Sequence, residues 1–461
     1  MQRTKNILGI FSIVKSMQNR ERINIILIAI DTLRADHFGC YGYTKNTSPN
    51  IDHFARDGVV FENCFALGIP THPAYTTIMT GMHPLIHGIV CHAGSVNLSP
   101  EIAMLPEMFN KHGYVTIAVD NLATAPESVA RAGWFARGYD YYFSTGGITV
   151  ISHGIKVNAD IVNKIAFEAL ELALRKSRDK NGFFMFIHYW DPHAPYLPPK
   201  EYIERFYKGN PYAGDLEDRL DKLLWGRLLL RGWIGDLIKC GIKDKNYVDA
   251  SYDAEIAYVD ERVGELLAKV DELGLTENTV IVLTADHGEG LGEHEIYYDH
   301  HGLYEWDIKV PLIIRYPPRM PKGTRVNAMV SHMDIAPTLL EFSGIPVPEN
   351  ISGKSLLALF EEKWNGYTEL CIVENTRMTK RAIRTKKWKL IETLRPDIYG
   401  KPAGCIELYD VEKDPIESVN LVDQNEDLAF QLLGRLEKLY RSTTKGVGDP
   451  LIEQKISLPV E

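Results

Sequence analysis

The chain has 461 residues, enough for about two to three domains of ordinary size and for a sizeable buried core. Its 51 Lys and Arg against 61 Asp and Glu leave a formal net charge of −10 without long single-sign runs, which excludes the electrostatic footprint of a nucleic-acid-binding protein. Six cysteines (Cys40, Cys64, Cys91, Cys240, Cys371 and Cys405) fall without CxxC spacing, which argues against a zinc knuckle or a dense disulfide framework and makes buried reduced thiols the expectation.

In chain order, Lys5-Asn-Ile-Leu-Gly-Ile-Phe-Ser-Ile-Val-Lys15 comes first. Its apolar run of about eight residues reaches the lower limit of a signal-peptide core, but Lys15 and Arg20-Glu-Arg22 follow where a small-residue cleavage site would stand. No stretch approaches the ~18 to 20 apolar residues that span a bilayer. A soluble cytoplasmic protein with an N-terminal extension over 1–22 is expected. Ile23-Asn-Ile-Ile-Leu-Ile-Ala-Ile30, ending in Asp31, has the pattern of a strand buried on both faces of a parallel sheet. Gly68 to Gly81 follows, a hydroxyl-rich segment containing Thr71. Asn158 to Lys176 carries apolar residues at helical spacing, and Phe183-Phe-Met-Phe-Ile187 is a second strand, leading into His188-Tyr-Trp-Asp-Pro-His193. Residues 202–245, rich in Leu, Trp and charge, read as a helical insertion, suited to a lid or to plain packing. Tyr252 to Leu273 is another helix, and Thr279 to Ala285 a third strand, ending in Asp286-His287-Gly288.

Strands alternating with helices imply an α/β domain over 23–348 with a large doubly wound, mostly parallel sheet flanked by helices. Past Pro346-Val-Pro-Glu-Asn350 the texture changes. Short alternating strands between Leu370 and Leu421 and a helix over 427–440 predict a smaller C-terminal α+β subdomain with an antiparallel sheet, spanning 349–461. Within it, the basic run Lys380 to Lys389 is expected to be a solvated strand-turn face.

Asp31 and the pair Asp286-His287 stand at the carboxyl ends of predicted strands, the edge at which open α/β sheets bind ligands. With an oxygen of Thr71 they form a donor set for Ca, Mg, Mn or Zn. A threonine hydroxyl is almost wholly protonated at neutral pH, and coordination to a divalent cation lowers its pKa and makes it a nucleophile. A second group comprises His188, His193, His300 and His301, with Asp299 beside the last pair. Near neutral pH, histidine can hold the non-bridging oxygens of an anionic ester and protonate its leaving group. His193 and His301 are the strongest catalytic candidates; His72, His83, His87, His92 and His294 are read as supporting or structural.

These motifs are collinear with those of a known family. Asp31-Thr-Leu-Arg-Ala-Asp-His-Phe-Gly-Cys-Tyr-Gly-Tyr43, Ser48 to Ala55, His188 to Tyr196, Thr284 to His294, Ser331 to Leu340 and Glu407-Leu-Tyr-Asp resemble successive motifs of the sulfatase branch of the alkaline phosphatase superfamily, over nearly the whole length. The resemblance implies metal ligation by Asp31, Asp286 and His287, with Thr71 at the nucleophile. It implies that His193 is the substrate-binding and leaving-group histidine, and that His301 and Asn121 lie near two basic positions that contact the anion. His188 and His300 are the further substrate-binding candidates, and Thr32 replaces a second Asp found in many members. Thr71 stands where the family has the Cys or Ser that is converted to formylglycine, with Ala74 and Tyr75 in place of the Ser and Arg of the recognition sequence.

Threonine cannot form that aldehyde, so no formylglycine is expected. A phosphothreonine is a tractable intermediate, because a second in-line displacement at phosphorus can use the same metal clamp. The leading expectation is a divalent-metal-dependent hydrolase of phosphoric mono- or diesters acting through Thr71, its partner a small anionic ester substrate. Sulfuric ester hydrolysis without formylglycine and a noncatalytic binding protein are the alternatives, and a homo-oligomer is left open.

Overall fold

The computed structural model describes residues 22–123, 132–146, 148–151, 154–156, 158–444 and 448–454. The apolar run read at residues 5–15 lies outside them. The strands are β1 (Asn24–Ile30), β2 (Val59–Phe65), β3 (Gly68–Ile69), β4 (Val115–Val119), β5 (Tyr141–Phe143), β6 (Ile148–Ile151), β7 (Gly154–Lys156), β8 (Phe183–Tyr189) and β9 (Thr279–Ala285). They continue with β10 (Gly290–Leu291), β11 (Tyr297–Asp299), β12 (Lys309–Val310), β13 (Leu312–Arg315), β14 (Thr324–Ser331), β15 (Glu369–Asn375), β16 (Thr379–Thr385), β17 (Trp388–Thr393) and β18 (Ile406–Asp410). The principal helices are α1 (Pro49–Arg56), α2 (Thr71–Thr80), α3 (Ala159–Lys176), α4 (Lys245–Glu272), α5 (Ile335–Phe342) and α6 (Glu426–Thr444).

The main sheet runs β12-β2-β13-β9-β1-β8-β4-β5, with β14 also paired to β2. From β9 to β5 the strands are parallel, and β13 joins antiparallel to both β9 and β2. Every residue of β1, β8 and β9 is buried, as their unbroken apolar runs require of central strands covered on both faces. Side-chain alternation along β8 assigns the faces. Phe184 stacks on Phe109 and Phe186 meets Tyr75 of α2 edge-on, while Tyr189 on the opposite face donates from its hydroxyl to Asn163 of α3 at 2.5 Å. Helices α3 and α4 pack together over that second face. Helix α4 begins at Lys245, seven residues before the apolar spacing becomes regular, because the Asp244 side chain caps it by accepting from the Asn246 amide at 3.0 Å. The insertion is a run of four short helices between Lys200 and Lys239.

The second sheet, β18-β17-β16-β15-β3, is antiparallel except at its edge. There β3, the segment that leads into Thr71, pairs parallel with β15 through Val373↔Gly68 and Glu374↔Ile69. One face of this sheet is closed by α6, with Val373, Ile383, Leu390 and Leu408 packed against Leu432 and Leu436.

The other face overturns the reading of Lys380 to Lys389 as solvated. Lys380, Arg384 and Lys389 are buried, projecting with Ala382 away from α6. Lys380 pairs with Asp397 at 3.1 Å, Arg384 with Glu305 at 2.9 Å, and Lys389 with Glu305 at 3.3 Å and with Glu417. The partners come from distant segments, so a local charge run gave no sign of them. The thiols also differ from expectation. All six are free, but Cys240 is exposed and Cys40 and Cys405 are half-buried, because they lie on loops and short turns and not on core strands. Among the described residues no helix is long and apolar enough to cross a membrane.

Candidate active site

Strands β1 and β9 pair in register with Ile30 opposite Ala285, so the next residues, Asp31 and Asp286, leave the sheet side by side at its carboxyl edge. Donor atoms of Asp31, Asp286 and His287 lie within 4.8 Å of one another, and all three residues are fully buried. The Asp286 Oδ1 accepts from the backbone amides of Thr32 (3.0 Å) and His287 (2.9 Å), which fixes the carboxylate. Thr32 delivers its amide from a left-handed conformation, φ 49°, a strained setting for a β-branched residue. Its place in the site is thus a backbone one. Gly288 must be glycine, since a Cβ there would stand 1.8 Å from the Trp306 carbonyl oxygen.

The His287 Nδ1 donates to the Gly288 carbonyl at 2.9 Å, which turns Nε2 toward Asp286 Oδ2 at 3.1 Å and Thr71 Oγ1 at 3.4 Å. Thr71 is the first residue of α2, where the unpaired amides of a helix start favour negative charge. Burial opposes a charged imidazole at His287, but Asp286 outweighs it and lifts the pKa to about 10. The Asp31 Oδ1 is buried without a hydrogen-bond partner, and Asp286 Oδ2 has the His287 Nε2 beside it. Two buried carboxylates, an imidazole Nε2 and a hydroxyl fit a divalent cation of the oxygen- and nitrogen-preferring class.

His188 is placed differently from its reading as a substrate-binding residue. Its Nδ1 meets Asp120 Oδ1 at 2.8 Å and its Nε2 meets Asp31 Oδ2 at 3.2 Å, so both ring nitrogens are engaged and it braces Asp31. Burial lowers its proton affinity, but the hydrogen bonds of Asp120 and Asp31 prevail and push the pKa up to about 10. Tyr75 lays its ring edge-on to His188, centroids 5.0 Å apart.

His193 is half-buried in the loop after β8 and donates from Nδ1 to the Ala194 carbonyl at 2.7 Å. Its ring centroid stands 5.5 Å from that of His300, which is 4.5 Å from that of His287. His301 is buried, its Nδ1 2.5 Å from Glu374 Oε1 and its Nε2 3.5 Å from Asp299 Oδ1. Asn121 is buried just past the end of β4, beside Asp120. His300 thus packs on His287 with His193 on its other side, whereas His301 is held against Glu374.

Asp120 and Glu374 were not singled out from the sequence. Asp120 ends a strand of only five residues, Val115–Val119, and the strand-end rule applied to that run would have found it. Glu374 comes from the second sheet and carries no local signal. His92 was set aside as supporting or structural, yet its ring lies 4.2 Å from that of His72. Burial holds His72 down to about 4 and His92 well below its ordinary value, with the charges of His72, His300 and His193 adding to the latter. His83 instead donates from Nε2 to the Cys371 carbonyl at 2.9 Å, and His294 stacks on Tyr304 at 3.7 Å.

The sulfatase family model matches residues 23–345, and the model described as N-sulphoglucosamine sulphohydrolase, C-terminal, matches 292–442. An N-acetylglucosamine-6-O-sulfatase of Bacteroides thetaiotaomicron is 27% identical over 92% of this chain and 88% of its own length. A protein solved in complex with its substrate D-glucosamine-2-N,6-O-disulfate shares the fold with a TM-score of 0.73 at 22% identity, covering 93% of this chain and 99% of that one. The phosphonate monoester hydrolase of Agrobacterium radiobacter does so with a TM-score of 0.69 at 20% identity, covering 92% and 96%. With a family match over most of its length and a buried acid-histidine site at the expected sheet edge, the chain belongs to the sulfatase family of the alkaline phosphatase superfamily, and is a hydrolase of sulfuric or phosphoric esters.

Proposed function

We propose that this protein cleaves sulfuric esters of sugar-like alcohols without formylglycine. The observation that carries the reading is the match of nearly the whole chain to an N-acetylglucosamine-6-O-sulfatase. The site geometry supports the same chemistry. A divalent ion held by Asp31, Asp286, His287 and Thr71 would lower the pKa of a bound hydroxyl and stabilise negative charge developing beside it. Thr71 then orients the attacking water, because its own hydroxyl cannot become the aldehyde that releases sulfate in other family members. Water forms the new bond to sulfur as the bond from sulfur to the alcohol oxygen breaks, and the proton that the water gives up leaves to solvent with the sulfate. His193 is the proton donor to the departing oxygen through Nε2, and its bond from Nδ1 to the Ala194 carbonyl fixes the ring for that transfer.

Phosphoric or phosphonic esters are the second reading, favoured by Thr71 itself. There Thr71 Oγ1 would bond to phosphorus, and water would displace it in a second in-line step. The order of the two readings reverses what Thr71 alone suggests, because the relatives matched over full length favour sulfate.

The test is a panel of an aryl sulfate, a 6-O-sulfated glucosamine, an aryl phosphate, a bis-aryl phosphodiester and an aryl phosphonate, each assayed with Ca, Mg, Mn or Zn. Sulfate release that disappears in Asp286→Ala is the expected result. Turnover of phosphorus esters alone, with a phosphorylated Thr71 peptide in a quenched digest, would establish the second reading. An absence of turnover on every ester, in protein that holds its ion, would overturn both.

A further inference from the structure

The insertion between β8 and α4 carries a surface that neither the core nor the site uses. Its helix Gly226–Arg231 buries Gly226 and Leu229 and turns Arg227, Leu228 and Arg231 to solvent. The helical winding extends back through the preceding turn, where Trp225 has helical backbone angles and the amides of Gly226 and Leu228 donate to the carbonyls of Leu223 (3.1 Å) and Trp225 (2.9 Å). Leu224 in that turn is 77% exposed, and Leu228 is 40% exposed. Positions 224, 227, 228 and 231 have the three- and four-residue spacing of one helix side, so two leucines and two arginines alternate along a single exposed stripe.

Exposed leucines by themselves are ordinary. Their charged neighbours set these two apart. Elsewhere in and beside the insertion, cations are paired: Arg219 with Asp215 at 2.7 Å, Lys239 with Asp236 at 3.0 Å and Lys245 with Asp249 at 2.5 Å. Among the described residues Arg227 and Arg231 have no carboxylate partner. The exposed acids Glu217, Asp218 and Asp221 belong to the preceding helix, Leu216–Asp221. The whole chain has a formal net charge of −10, so attraction of an anionic surface would be local to this stripe.

The chemistry of the stripe selects its occupant. In a two-fold contact a second copy would set arginine against arginine, and four side chains fall short of the ~20 residues a side of a stable protein interface. A soluble polyanion would engage the arginines and leave the leucines in water. A bilayer containing acidic lipids meets both groups, with leucine side chains entering the acyl boundary while the guanidinium groups stay among the lipid phosphates.

We propose that Leu224, Arg227, Leu228 and Arg231 form a docking surface for the anionic face of a lipid bilayer. The docking segment also braces the catalytic cleft. Trp225 is buried with its ring edge-on to Tyr399, centroids 4.7 Å apart, and Tyr399 donates to Asp299 Oδ2 at 2.7 Å, next to His300. The proposal is independent of which ester the protein cleaves.

The test is sedimentation of the full-length protein with vesicles of phosphatidylcholine alone or of phosphatidylcholine with about one third phosphatidylglycerol. Wild type is expected to partition at least about ten-fold more strongly to the acidic vesicles, and less so as salt is raised. The double variants Leu224→Asn with Leu228→Asn, and Arg227→Gln with Arg231→Gln, should each lower that partitioning about ten-fold or more, with folding checked by circular dichroism. Equal partitioning of wild type to both vesicles, no partitioning to either, or partitioning unchanged in either double variant overturns the proposal. Two of these failures name another occupant. Binding to immobilised dextran sulfate that only the arginine variant loses, without vesicle binding, assigns the stripe to a soluble polyanion, and a dimer in light scattering that the leucine variant abolishes, again without vesicle binding, assigns it to a second copy.

Discussion

Thr71 owes its position to three independent constraints: it opens α2, it follows a strand locked to β15, and its hydroxyl faces His287 Nε2 at 3.4 Å. Loss of that oxygen should therefore affect chemistry much more than folding. Thr71→Ala is expected to lower kcat by about two to four orders of magnitude, while Thr71→Ser keeps a substantial part of it, with melting temperatures close to wild type in both. His188 offers a test with the opposite emphasis. Its folded pKa of about 10 exceeds its ordinary 6.5, so the paired imidazolium stabilises fully below pH 6.5 and its contribution is lost as pH rises through about 10. Asp120→Asn should destabilise ion-free protein by about 3 kcal/mol at the acid end of that window, and the gap should narrow toward the alkaline end in urea titrations. A constant gap across the window would show that His188 is neutral in the fold. Of these residues, Asp31, Thr71 and Asp286-His287 were legible in the sequence because each sits at a strand end or in a distinctive motif. Asp120 and Glu374 were not, because their importance lies in a partner elsewhere in the chain.

At the level of elements, the long apolar strands were readable and the devices that join them were not. Helix α1 has Ser48 at its start but no side-chain cap from it. Asp260 of α4 supplies the cap instead, accepting from the amides of Asn50 at 3.1 Å and Ile51 at 2.8 Å. Asp260→Ala is expected to cost about 1 to 2 kcal/mol in chemical denaturation, more than removal of the Ser48 hydroxyl. The second sheet behaves similarly. Lys389 is fully buried between Glu305 and Glu417, and Lys389→Met should destabilise by about 3 to 5 kcal/mol, because Glu305 keeps Arg384 but Glu417 is left buried without its cation. A loss below about 1 kcal/mol would mean that Glu417 is neutral in the folded protein.

Across the whole molecule, the site depends on both sheets and on the insertion. Glu374 and β15 reach it from the second sheet, and Trp233 of the insertion packs on Tyr196 (4.9 Å between centroids) and Tyr298 (5.8 Å), next to the His193 loop and β11. An ion that binds the assembled site and not the unfolded chain must stabilise all of it. Chelation should lower the melting temperature together with activity, and restored metal at about 100 times its dissociation constant should return about 2.7 kcal/mol. Activity lost with no change in melting temperature would place the ion outside the buried site. The sequence by itself determined the fold class, the parallel strands, the family resemblance and the acid-histidine motifs at strand ends, because backbone periodicity and strand-end placement are local properties. Only the tertiary structure decided that His188 braces Asp31, that Lys380 and Lys389 are buried, and that Glu289 is buried beside His300. Each of those depends on which distant charge a side chain meets after folding, and burial makes such meetings energetically decisive.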